Sequence, residues 1–162
     1  MKKVTALFIL VMVCLFLFAG CTAGVQKQDL VVYSFSGAND YFSVSDGVVV
    51  LNGEEEIFSG GELKVLQDAE FSDIASFSGE FYIMKNGEKR TVLSNSVVDM
   101  TGGTLSVSGD LGKMSGETII TNYKMIDEQD WQENLFFELA VTDLNGKETV
   151  YELQMTLEKI TD

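Results

Sequence analysis

Residues 135–155 read LFFELAVTDLNGKETVYELQM, and the way this stretch folds back on itself decides the architecture. Asn145-Gly146 sits between two runs in which apolar and polar side chains alternate. That is a strong hairpin signal, because both residues tolerate the positive φ of a tight turn. Two registers compete. A two-residue turn sets Leu139 opposite Glu152 and Glu138 opposite Leu153, which mixes the faces. A three-residue loop of Leu144-Asn145-Gly146, with Gly146 left-handed, pairs Val141 with Thr149, Leu139 with Tyr151, Phe137 with Leu153 and Leu135 with Met155. The large apolar side chains of these pairs then share one face. A one-residue slip would turn the whole set over, so the bulged hairpin is predicted.

The same grammar extends upstream. Glu80 to Lys85 and Glu88 to Ser94 flank Asn86-Gly87, and a two-residue turn there sets Lys85 opposite Glu88 and Phe81 opposite Val92. Before them, Tyr41 to Ser45, Gly47 to Leu51, Glu54 to Phe58 and Glu62 to Leu66 are short β-prone runs, punctuated by Asp46-Gly47, Asn52-Gly53 and Gly60-Gly61. Ser96 to Gly116 reads as two short strands joined by glycine-rich turns. Two segments break the rhythm. Phe71 to Ala75 reads as a helical turn or a strand start, and Asp127 to Asn134 opens acidically enough for a short helix. Roughly ten short strands predict an all-β fold, an antiparallel sandwich with a barrel as the alternative.

The residue types that are absent limit the chemistry. The chain has no His, and its only cysteines are Cys14 and Cys21. Ser-His-Asp and Cys-His nucleophilic systems and His-based zinc or copper sites are therefore excluded. An enzyme here would have to run on carboxylates, Lys, Tyr or Ser.

At the N-terminus, Lys2-Lys3 precede an uncharged apolar run from Val4 to Phe18, which ends in Ala19-Gly20-Cys21. A basic start, a short apolar run and small residues before the exit make a secretory signal, helical in its apolar part. The segment resembles bacterial lipoprotein signals, with Phe18-Ala19-Gly20-Cys21 as the lipobox. The resemblance spans residues 1–21. It implies cleavage between Gly20 and Cys21 and acyl chains on Cys21, which becomes the mature N-terminus and a lipid anchor.

Cleavage would leave 142 of the 162 residues, with nine basic against 25 acidic side chains once Lys2 and Lys3 are gone, a formal net charge of −16. Nucleic acid and anionic headgroups are poor partners for such a surface. The expected organisation is a signal over 1–20, the lipidated Cys21 with a tether to residue 29, and one sandwich domain over 30–162. Thr22 to Asp29, fully extended, reach about 26 Å, which keeps the domain near the bilayer.

Several clusters invite a functional reading. Glu54-Glu55-Glu56 follows a turn and reads as a solvated strand edge that discourages aggregation. Asn39, Asp40, Asp46, Asp99 and Asp110 offer the oxygens calcium takes, but the spaced loop of an EF-hand is absent, and no metal site is assigned. Trp131, the single tryptophan, reads as a plug at one end of the sandwich. Lys85, Lys89 and Arg90 are expected to pair within their own hairpin, with Glu88 and Glu80. Asp127 with Asp130, or Glu138 with Glu152, are the carboxylate pairs a glycosidase would need. With 25 acids in the chain such coincidences are expected, and no catalytic residue or cofactor is assigned.

The resulting expectation is an exported lipoprotein, anchored at the outer face of the cell membrane, or in the outer membrane where the source has two. It would act as a non-catalytic binding or accessory module for an envelope protein or polysaccharide. The alternatives are a carboxylate-dependent polysaccharide hydrolase and a self-associating structural component of the envelope.

Overall fold

A computed structural model describes residues 30–52, 55–117, 119–120 and 132–161. The signal segment, Cys21 and its tether, Glu54, Asp127, Asp130 and Trp131 lie outside the described residues. The described strands are β1 Val31–Ala38, β2 Phe42–Leu51, β3 Glu56–Ser59, β4 Glu62–Val65, β5 Ile74–Lys85, β6 Glu88–Val98, β7 Gly109–Asp110, β8 Lys113–Gly116, β9 Leu135–Asp143, β10 Glu148–Gln154 and β11 Thr156–Lys159. A 3-10 turn at Asp68–Phe71 leads into β5, so the Phe71 to Ala75 stretch is both helical turn and strand start.

All pairings are antiparallel. One sheet runs β11-β1-β2-β3-β8, with β4 also on β2 and β7 on β4; the other runs β10-β9-β5-β6. Neither sheet closes on itself, and the two share one core, which makes the fold a β-sandwich and not a barrel.

The last hairpin takes the predicted register. Thr149 faces Val141, Tyr151 faces Leu139 and Leu153 faces Phe137, while the Met155 N–H donates to the Leu135 carbonyl at 2.9 Å. Gly146 is left-handed at φ 81°. Asp143 holds the loop by accepting the N–H groups of Asn145 and Lys147 on its carboxylate, at 2.8 and 2.9 Å.

Aromatic rings join the layers. Phe35 and Phe58 from one sheet meet Phe81 from the other at 5.5 and 5.2 Å between centroids, and Phe81 lies 4.7 Å from Phe137. All four are 2% exposed or less. Each contributes on the order of 1.5–3 kcal/mol through burial.

Turn chemistry in the first half proves to be bulge chemistry. Asp46-Gly47 does not reverse the chain; β2 runs straight through it, with Asp46 at φ 58°. Gly60-Gly61 does not make a hairpin either, since β3 and β4 both pair with β2, one beyond the other. Of the expected Asn52-Gly53 turn, Gly53 lies outside the described residues; Leu51 pairs with Glu56, and the Asn52 carboxamide oxygen accepts the Glu55 N–H at 2.6 Å.

The irregularities align. β1 shifts register between Phe35 and Gly37, opposite Gly47 of β2, and Gly60-Gly61 bonds to Leu111-Gly112 between β7 and β8. Bulges bend strands, so this row forms a crease across the sheet. Close approach explains the glycines there. A Cβ on Gly47 would lie 2.1 Å from the buried Phe35 ring, and one on Gly61 would lie 2.0 Å from the Ser45 carbonyl.

The Asn86-Gly87 turn is a two-residue turn with both residues at positive φ, and Lys85 faces Glu88 as predicted. Phe81, however, faces Leu93 and not Val92. A bulge between Phe81 and Tyr82 inserts Val92 as the extra residue and turns it into the core at 5% exposure.

Candidate functional site

The described residues with the densest polar coupling lie on the outer face of the four-stranded sheet. Because Phe81, Phe137 and Leu153 point inward, their neighbours Glu80, Glu138 and Glu152 point outward. Sheet order then lines them up, with Glu152 opposite Glu138 and Glu138 opposite Glu80. Directly opposed like charges repel, and this row would be unstable without a counter-charge.

Lys89 of β6 supplies it. Its ammonium reaches Glu80 at 2.6 Å and Glu138 at 3.1 Å, and also lies 4.2 Å above the Tyr82 ring. Thr91 donates its hydroxyl to Glu80, and the Tyr82 hydroxyl donates to Glu152 at 2.5 Å. Tyr82 is only 2% exposed on this outer face, because Phe136 stacks against it at 5.5 Å and 14° and Lys89 covers its other side.

Electrostatics follow from the geometry. Burial raises the Tyr82 phenol above its ordinary 10.0, and the Glu152 hydrogen bond with the neighbouring carboxylates pushes it further. Burial opposes ionisation of both Glu80 and Lys89. For Glu80, bonds from Lys89 and Thr91 outweigh burial and hold the carboxyl below 4.5. For Lys89, the two glutamates win and raise the ammonium above 10.5. Glu80 and Lys89 are thus held in their charged forms, and the carboxylates of the row are occupied as acceptors within one bonded network.

The basic hairpin therefore pairs internally, through partners that differ in part from those expected. Lys89 takes Glu80 and Glu138, and Arg90 bonds Glu88. Glu138 and Glu152 do come together, as the predicted register requires. Tyr82, Phe136 and the central place of Glu80 are what reading the sequence missed, although alternation from Phe81 marks both Glu80 and Tyr82 as outward positions.

The oxygen-rich loop residues disperse. Only Asp46 and Asp110 meet, with Glu62, Ser59 and Gly61, around an open recess of 250 Å³ on the outer side of the crease. Four of these side chains also serve their own turns. Asp110 accepts the Gly112 N–H at 2.6 Å, Asp46 accepts the Ser45 hydroxyl at 2.8 Å, Asn39 accepts the Tyr41 and Phe42 N–H groups at 2.9 Å, and Asp99 accepts the Thr101 N–H at 2.9 Å. Among the described residues, no group of three or more acidic, His or Cys side chains is arranged to hold a metal ion.

Glu56 corrects the solvated-edge reading of the acidic run. It is 4% exposed and accepts the Ile120 N–H at 2.5 Å, 64 residues along the chain. Alternation with the inward-pointing Phe58 puts it inside, and the hydrogen bond offsets the cost of burying it. No protein-family model, no curated protein and no solved structure matches the chain.

Proposed function

We propose that this protein is an exported lipoprotein, held at the membrane by acyl chains on Cys21, whose β-sandwich works as a non-catalytic binding or accessory module at the envelope. The observation that carries the reading is the sequence Phe18-Ala19-Gly20-Cys21 at the exit of a short apolar run opened by Lys2-Lys3. The absence of His narrows catalysis to carboxylates, Lys, Tyr or Ser. The most suggestive carboxylates are tied to internal partners: Glu152 to Tyr82, and Glu80 and Glu138 to Lys89. The partner is an envelope protein or polysaccharide, and nucleic acid is disfavoured by the acidic balance.

Metabolic labelling with a fatty-acid analogue tests the anchor. Wild-type chain is expected to incorporate label and Cys21→Ala to incorporate none; label that persists in Cys21→Ala would remove the reading. Crosslinking in cells followed by recovery of the protein is expected to yield one dominant envelope partner. Turnover of a polysaccharide by the purified protein, abolished in Glu138→Gln or Glu152→Gln, would instead establish the hydrolase.

A further inference from the structure

The two ends of the seven-stranded sheet differ on their outer face. An antiparallel sheet with one face on a core ordinarily presents polar side chains on the other. On the far side of the crease this holds, with Ser36, Ser43 and Ser45 outward. On the near side it fails. Val32 of β1 stands opposite Val50 of β2, and Val50 opposite Ile57 of β3, with Val48 two residues back along β2 on the same face.

These side chains alternate with Tyr33, Val49 and Phe58, each 0% exposed on the core side, and so point away from the core. None of Val32, Val48, Val50 and Ile57 is among the apolar side chains packed on the core. Ile160 extends the row beyond β11: its N–H donates to the Val32 carbonyl at 2.8 Å, and its side chain is 61% exposed. Five outward β-branched residues thus form one patch. Charges border the patch: Glu158 opposite Ser34 and Lys113 opposite Ser59 have opposite signs, while the exposed Glu55 and Glu117 follow on the same face beyond Ile57 and its partner Ser115 and leave that border acidic.

The patch lies where the chain enters the domain. Val32 is two residues from Leu30, itself 53% exposed, and Leu30 follows directly on the tether from Cys21. We propose that this end of the outer sheet face rests on the lipid bilayer that carries the anchor, Val32, Val50, Ile57 and Ile160 seated at the boundary between headgroups and acyl chains. The inference rests on acylation of Cys21. Given that anchor, eight residues with a reach of about 26 Å hold the patch at high effective concentration beside the membrane. Burial of the exposed Ile160 and of the accessible parts of the half-buried Val32, Val48, Val50 and Ile57 in the interface then favours contact. The acidic balance of the rest of the molecule selects zwitterionic over anionic lipid.

Acylation removes the only thiol of the mature chain, so an introduced cysteine becomes a unique labelling site. Full-length protein carrying Val50→Cys or Ile57→Cys, produced in a bacterial host that acylates lipoproteins, is labelled with an environment-sensitive fluorophore and reconstituted into phosphatidylcholine vesicles. Val150→Cys, on the outer face of the other sheet, is the control. Fatty-acid incorporation is measured in the same preparations, and matching thermal unfolding verifies that each variant is folded.

The expected result is a blue shift and quenching by brominated lipid at positions 50 and 57 but not at 150, weakened when phosphatidylglycerol is added. Acylated protein whose labels at 50 and 57 are quenched by aqueous iodide as strongly as the label at 150 would overturn the docking and leave the anchor standing. Shielding from both quenchers, with concentration-dependent sedimentation in detergent, would assign the patch to a second copy and likewise overturn it. Absence of fatty-acid label would overturn the docking together with the lipoprotein reading.

Discussion

Tyr82 is the residue whose environment departs furthest from what its type suggests. A tyrosine pointing outward from a sheet is ordinarily solvated, yet Phe136 and Lys89 enclose this one and Glu152 takes its proton donor. The carboxylate both bonds the neutral phenol and repels the phenolate, so two effects act in one direction. Glu152→Gln is expected to lower the ionisation pH of Tyr82 toward the ordinary 10.0, read from the ultraviolet tyrosinate band on alkaline titration. An unchanged titration would assign the shift to burial and to the more distant Glu138 and Glu80. Lys89 is likewise defined by its neighbours, since it is the cation that lets three glutamates stand in line on adjacent strands.

At the scale of elements, the glycines of the last hairpin and of the crease do different work. A Cβ on Gly146 would meet nothing within 4 Å, so the requirement there is conformational only, at φ 81°. Gly61 is left-handed at φ 76° and also abuts the Ser45 carbonyl. Gly146→Ala should therefore cost about 1–2 kcal/mol. Gly61→Ala should cost more, by roughly a further 1–3 kcal/mol for the overpacking, because the clashing atoms are backbone. Urea denaturation of the two variants checks the ranking, and equal losses would contradict the tight crease. Fluorescence of Trp131 or far-ultraviolet dichroism serves as the readout.

For the whole molecule, the ionised network sets the pH range of stability. Glu80 is depressed below 4.5, so its contribution is present above that value and is lost as pH falls through its folded value. Asp99, held down by the Thr101 hydroxyl and N–H, and Asp143, held down by the Lys147 N–H, act in the same direction from 3.8. Lys89 and Tyr82 are raised above 10.5 and 10.0, so their contributions are complete below those values and disappear as pH rises through the folded ones. The urea midpoint is expected to be flat from about pH 5 to about pH 9 and to fall on both sides. In Lys89→Met the acid limb is expected to change shape, because Glu80 loses the cation that holds its carboxyl down; the same profile as wild type would separate the network from stability. Salt should weaken these exposed pairs, whose single contributions are about 0.2–1 kcal/mol.

Local chemistry alone determined the all-β class, the turns at Asn86-Gly87 and Asn145-Gly146, and the register of the last hairpin. Those depend on backbone φ preferences and on period-two alternation within about twenty residues of chain. The same positive-φ signal at Asp46-Gly47 and Gly60-Gly61 reads as turns in the sequence, because a bulge and a turn demand the same backbone, and only the pairing of β3 and β4 along β2 distinguishes them. Glu138 beside Glu152 was legible in the hairpin; Glu80 beside Glu138 was not, since β5 and β9 meet across more than fifty residues. Glu56 inside the sandwich, and the outward valines of β1 and β2, belong to the same class. Burial is a property of which surfaces the two sheets bring together, and a strand's own alternation marks two faces without saying which of them is covered.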